Sequence, residues 1–201
     1  MGRASRFLGP IAIAVGAGCA RAPVHPDPIP LPPATSVEAA VPEPNAGDVE
    51  GILAAKSLMV PVEGVTPERM TDTYNARRSA GNHRAIDIMA PRGTPVLAAD
   101  AGRVFRLRTN ANGGITVYAI DRDERFIYYY AHLERYREGL AEGMSLEAGD
   151  VIGYVGTTGN APPDVPHLHF QIMQYRRDRF WDGEPINPYA FLTRSGKRRT
   201  E

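Results

Sequence analysis

Between about Leu58 and Leu192 the chain alternates short apolar runs with turn residues. TPVLAA, GRVFRLR, GITVYAI, FIYYYAH, DVIGYVG and LHFQIM are rich in Val, Ile, Tyr and Phe, and Gly, Pro, Asn and Asp bound them. Runs of this length and composition predict strands. The longest helix-compatible stretch, HLERYREGLAEG, is interrupted by Gly139 and Gly143, which limits any helix there to a short one. The segments GTPVLAADAGRV and EAGDVIGYVG share the look of paired turns. The expectation is an all-β domain, a folded-over antiparallel β-sandwich with short helices in its loops.

Outside that region the pattern changes. The chain opens MGRASRF and then LGPIAIAVGAGCA, so Arg3 and Arg6 precede an apolar stretch that ends in small residues. This is the outline of an export signal over residues 1–19; a permanent span needs about 20 apolar residues. Gly16, Ala17 and Gly18 before Cys19 resemble a bacterial lipobox, although Gly16 stands where Leu, Val or Ile is usual. That resemblance implies a lipid on Cys19 and, with Ala20 following, a periplasmic protein held at the outer membrane; ordinary cleavage near Ala20 is the alternative. Residues 20–57 read as a linker. Its first part, from Ala20 to about Val49, carries eight prolines and no periodicity that could bury a face, and about 30 residues of polyproline II reach on the order of 90 Å. The packed domain is expected over residues 58–192, and residues 193–201 as a frayed tail.

Composition narrows the chemistry. Among 201 residues, 23 Lys and Arg balance 23 Asp and Glu, so no net field draws the chain onto nucleic acid. Cys19 is the only cysteine, which removes internal disulfides, CxxC redox sites and Cys-rich zinc sites. There is also no GxSxG nucleophile elbow and no HExxH helix.

Histidine placement is the informative feature. His25 lies in the linker, leaving His83, His132, His167 and His169 for the domain, each at or near the end of a predicted strand. In PHLHF the period of two sends His167 and His169 to one face and Leu168 to the other. His83 and Asp87 are four apart, a spacing that returns to one face of a strand and also of a helix. Imidazole and carboxylate suit Zn²⁺, and a hydrolytic site uses three protein ligands with a fourth position for water. His83, Asp87 and one member of the HxH pair make such a set, and the remaining histidines are then free to move protons. A single HxH pair is more often two polar residues on an exposed strand face. Four histidines at strand borders beside a matched carboxylate outweigh that reading.

From about Val60 to Met173 these residues resemble the lysostaphin/LytM-type zinc endopeptidases, which cut peptide cross-bridges of the bacterial cell wall. The resemblance rests on HRAID, APRGTPVLAADAGRV, YAHL, GDVIGYVGTTG and PHLHFQI, with GEPINPYAFL as a closing segment. It departs at Ala85 and at Val165, where the family commonly has Gly. The implied fold is the β-sandwich of the duplicated-hybrid-motif type. The implied metal ligands are His83, Asp87 and His169 for one Zn²⁺, with His132 and His167 as the pair that handles the attacking water and the oxyanion. Peptidoglycan peptides are the implied substrate, and a regulatory protein partner is compatible with the family. A non-catalytic wall-binding or hydrolase-activating relative is the alternative; such members usually lack part of the site, and this sequence lacks none of it. A biotinyl or lipoyl carrier needs a lysine in an exposed turn, whereas Lys56 and Lys197 both lie outside the strand-rich region.

Other residues carry less. Of Tyr128, Tyr129 and Tyr130, at least two are expected to serve packing and one could offer a hydroxyl to an oxyanion. Trp181 is expected as a packing anchor and the RRDR run from Arg176 as a solvated turn. Arg77 and Arg78 read as solvated in the same way, although they lie close enough in sequence to His83 for a substrate contact.

Overall fold

A computed structural model describes residues 46–78, 81–177 and 183–197. The export signal, Cys19, the linker before residue 46, Trp181 and the end of the tail lie outside the described residues.

Helix α1 spans Ala46–Ala55 and the chain then enters strands: β1 Arg77–Arg78, β2 Gly81–Asn82, β3 Ile86–Met89, β4 Pro95–Leu97, β5 Gly102–Asn110, β6 Gly114–Asp121, β7 Phe126–Tyr136, β8 Ser145–Leu146, β9 Val151–Val155, β10 His167–Gln174 and β11 Pro185–Ile186, before helix α2, Tyr189–Lys197. Strands β1 and β2 form a separate hairpin, and the other nine make one branched antiparallel sheet ordered β11-β10-β7-β6-β5-β8, with β3 on β10 and β9 joining β7 to β4. The mostly antiparallel β architecture agrees with the sequence pattern. The two segments with similar turns pair with each other through β4 and β9.

Strand β10 organises the core. Leu168, Phe170 and Ile172 are fully buried on one face, beside Tyr128 and Tyr130 of β7 and Ile86 and Ile88 of β3. The opposite face of the same strand carries His167 and His169. Fully burying side chains of this size stabilises by roughly 1.5–3 kcal/mol each, so the alternation along β10 is fixed by its apolar half.

Strand β7 changes partner halfway along. It pairs with β10 as far as Ala131 and with β9 from Leu133 onward. Between them His132 adopts a left-handed backbone, φ 61°, and its N–H donates instead to Gly113 O at 2.7 Å. The pairing with β6 shifts register across the same stretch. The short helix compatible with residues 132–143 does not form, because residues 132–136 continue β7 and bury Leu133 in the core. Gly139 and Gly143 follow with φ of 73° and 84°.

The expected boundary at residues 57 and 58 falls inside packed structure. Val49 and Leu53 of α1 belong to the core, and Lys56 Nζ lies 2.8 Å from Asp100 Oδ2 and 3.0 Å from Asp121 Oδ2. The Tyr128 hydroxyl donates to the same Asp100 oxygen at 2.8 Å. Proline content masked this helix, since AGDVEGILAAK itself contains no proline. At the other end α2 runs past the expected limit at 192, with Thr193 Oγ1 donating to Tyr189 O at 2.8 Å. Replacing Leu53 by Ala is expected to lower stability in denaturant unfolding by about 2–5 kcal/mol; a loss under about 0.5 kcal/mol, the range of surface substitutions, would exclude α1 from the cooperative unit.

Candidate metal centre

His83 and Asp87 share a face by a different route from that expected. His83 precedes β3 rather than lying in it, and Arg84 after it is left-handed, φ 56°. That turn, not strand pleat, aims both side chains the same way. Thr73 holds the turn from beneath: its carbonyl accepts from His83 Nδ1 at 3.1 Å, and its hydroxyl accepts from the Asp87 N–H at 3.0 Å. Because a carbonyl only accepts, His83 carries its proton on Nδ1 and presents Nε2 as a lone pair. Asp87 then stands directly opposite His169 in the β3–β10 register, where side chains of an antiparallel pair meet on one face.

Three donor atoms converge there. His83 Nε2 lies 3.0 Å from His169 Nδ1 and 3.1 Å from Asp87 Oδ1, and His169 Nδ1 lies 3.3 Å from the same oxygen. Asp87 Oδ1 is buried without a hydrogen-bond partner. Left alone, such an atom costs about 1–3 kcal/mol or more. The three separations match the edges, about 3.3 Å, of a tetrahedron with bonds of about 2.0 Å. The group His83, Asp87 and His169 can hold a metal ion, and a cation at their centre would satisfy the orphan oxygen. Burial would raise the Asp87 pKa, but the imidazoles of His169 and His83 beside it outweigh that and hold the carboxyl well below the usual range. Burial lowers the pKa of His169, which favours the neutral imidazole that a metal needs.

The other two histidines face the same cleft, whose volume is about 390 Å³. His132 Nδ1 and His167 Nδ1 each donate to a carbonyl at 2.8 Å, Thr158 O and Val165 O respectively. Each neutral ring therefore carries its proton on Nδ1 and leaves Nε2 as the acceptor. Their ring centroids are 5.0 Å apart, and His167 Nε2 is 3.7 Å from Asp87 Oδ1. Burial, together with the neighbouring His169 and His167, pushes the His132 pKa down to about 4. Thr158 is fixed by its own hydroxyl, which donates to Leu133 O and accepts from the Ile115 N–H. A tight approach of Gly114 and Gly159 makes this possible: both have positive φ, and a Cβ on Gly159 would come within 2.3 Å of Asn112 O and Gly114 N.

The tyrosines divide as expected. Tyr128 binds Asp100, and the Tyr130 hydroxyl accepts from the Ala99 N–H at 2.9 Å, both away from the cleft. Tyr129 lines the cleft with its ring edge-on to His169. The sequence reading missed Thr73 altogether, one of several threonines in a stretch without strand pattern. It allowed Arg78 a substrate contact; the residue lines the cleft, and its guanidinium donates to Asp87 Oδ2 at 2.5 Å.

The displaced His132 pKa has a consequence for stability. The unfolded chain protonates this imidazole near its ordinary value of 6.5, before the folded chain does. Stability is therefore intact above about 6.5 and falls as pH drops toward about 4. In the metal-free protein the melting temperature is expected to fall across that window, and less steeply in His132→Asn, since Asn tolerates the left-handed backbone. Equal slopes in both proteins would place the acid sensitivity elsewhere.

Comparison with known proteins follows the same outline. Residues 81–188 match peptidase family M23. The chain is 32% identical over 108 residues, 51% of its length, to an L-Ala–D-Glu endopeptidase of Bacillus subtilis. It is 35% identical over 59% of its length to the uncharacterized lipoprotein YgeR of Escherichia coli, and 25% identical over 80% to the murein hydrolase activator NlpD of Salmonella dublin. It spans 33%, 42% and 38% of the lengths of these relatives. Among solved structures, the catalytic domain of lysostaphin from Staphylococcus simulans superposes with a TM-score of 0.52 and 27% identity, over 63% of this chain and 94% of that one. A match across more than half of the chain, over the same strands that bring the histidines together, places this protein in peptidase family M23.

Proposed function

We propose that this protein is a zinc-dependent endopeptidase acting on the peptides of bacterial peptidoglycan, with His83, Asp87 and His169 as the ligands of one Zn²⁺. The observation that carries this reading is the orphaned Asp87 Oδ1, buried among two imidazole nitrogens at 3.1 and 3.3 Å, with two further histidines facing the same cleft. Bound there, the ion supplies Lewis acidity, acidifying water and polarising an amide carbonyl. The protein's own task is then the proton. His132 and His167 both direct Nε2 away from their carbonyl partners, so one takes a proton from the attacking water and returns it to the departing amine. Their carbonyl partners hold both rings in the working tautomer. Tyr129, with its pKa raised by burial, remains a neutral hydroxyl at the cleft wall. The L-Ala–D-Glu endopeptidase relative supports a peptidoglycan peptide as substrate.

A second reading is an activator of another wall hydrolase, favoured by similarity to NlpD over 80% of the chain. The complete set of histidines and Asp87 favours catalysis. The lipobox-like residues before Cys19 and the lipoprotein among the relatives support a lipid anchor and a periplasmic site at the outer membrane.

Purified sacculi incubated with a soluble protein beginning near Asn45 are expected to release muropeptides with zinc but not with a chelator, and not with His169→Ala. Fragment masses then name the bond. Absence of release by folded, zinc-loaded protein would overturn the enzyme reading in favour of the activator. Asp87→Ala should fail to retain zinc, whereas His132→Ala should keep it and lose about 10²- to 10⁴-fold in rate. For the anchor, Cys19→Ala is expected to move the protein from the membrane fraction to the soluble one; unchanged fractionation would exclude lipidation.

A further inference from the structure

The two oxygens of Asp87 have different surroundings. Oδ1 faces His83 Nε2, His169 Nδ1 and, farther off, His167 Nε2. Oδ2 takes the guanidinium of Arg78 at 2.5 Å. Arg78 arrives from the hairpin that also delivers His83: it pairs with Gly81 across β1 and β2, two residues before that histidine. Among the described residues lining the cleft it is the only Arg or Lys, and Asp87 is the only carboxylate.

We propose that Arg78 is a positioning residue that makes Asp87 a one-oxygen metal ligand. The proposal rests on the reading of His83, Asp87 and His169 as ligands. The terminal torsion of an aspartate is broad and nearly two-fold, so an untethered carboxylate offers either oxygen, or both. Binding through both would add a further donor and crowd the position that a hydrolytic site keeps open for water. A charge-assisted hydrogen bond to Oδ2 holds that oxygen outward and turns Oδ1 inward. A second positive charge also repels the incoming cation. The Arg78 side chain is 51% exposed, so solvent screens this repulsion while the directional bond persists. Orientation is the larger effect, and losing such an outer partner typically weakens metal binding about 10- to 100-fold.

The test measures zinc affinity by competition with a chromophoric chelator, the visible spectrum of the cobalt(II)-substituted protein, and thermal unfolding without metal. Arg78→Ala is expected to bind zinc about 10- to 100-fold more weakly. It should also show weakened cobalt ligand-field bands, as a fifth donor enters, and leave the metal-free melting temperature unchanged. Arg78→Lys, which retains a donor without the planar fork, should recover part of the affinity. Wild-type zinc affinity and an unaltered cobalt spectrum in Arg78→Ala would overturn the proposal; if KM for sacculus peptides rose alone, Arg78 would belong to substrate binding instead. Wild-type protein that takes up neither ion would overturn the ligand assignment beneath it.

Discussion

The pairing of β10 with β3 on one side and β7 on the other is the constraint from which the rest of the site follows. Leu168, Phe170 and Ile172 are driven into the core from one face of β10, and strand geometry then leaves His167 and His169 no alternative but the other face. The register with β3 sets Asp87 across from His169. A shift of one residue would send the carboxylate into the core and Ile86 or Ile88 into the cleft. Hydrophobic burial, which knows nothing of chemistry, thus decides which polar atoms meet.

Regular strands supply only part of the constellation. His132 would share the buried face of Tyr128 and Tyr130 if β7 alternated without interruption. Its left-handed backbone, placed where β7 exchanges β10 for β9, turns it toward Tyr129 and the cleft instead. Arg84 does the corresponding work beside His83. Bulges and left-handed residues near functional sites commonly re-aim a side chain in this way. Here their positions are over-determined by surrounding hydrogen bonds, from Gly113 and Thr158 for His132 and from Thr73, Tyr74 and Ala76 for the turn at His83.

The sequence made some of this legible and concealed the rest for identifiable reasons. Alternation exposed the HxH face and the strand-rich core, because both depend on local periodicity. The HxxxD spacing gave the right neighbours for the wrong reason, since a left-handed turn and a strand pleat are indistinguishable at that separation. No local signal marked His132 as bulged; the apolar residues around it read simply as strand. Thr73 was invisible because its role is carried by a carbonyl that every residue possesses and by one hydroxyl in a patternless stretch. Arg78 was noticed only for its closeness to His83, as its carboxylate partner is nine residues away across a hairpin whose pairing composition does not reveal. Helix α1 was absorbed into the linker because a proline-based reading has no sharp end.

Strand β10 interleaves core and chemistry residue by residue, with Leu168 between two histidines and Phe170 directly after them. Such a segment is open to substitution but closed to insertion or deletion: adding or removing one residue exchanges the two faces and abolishes packing and site together. A change of length is therefore tolerable only in the connections, such as the loop of residues 157–166 that borders the cleft. Beside the cleft, a change of length has room in that loop and none in the eight-residue strand.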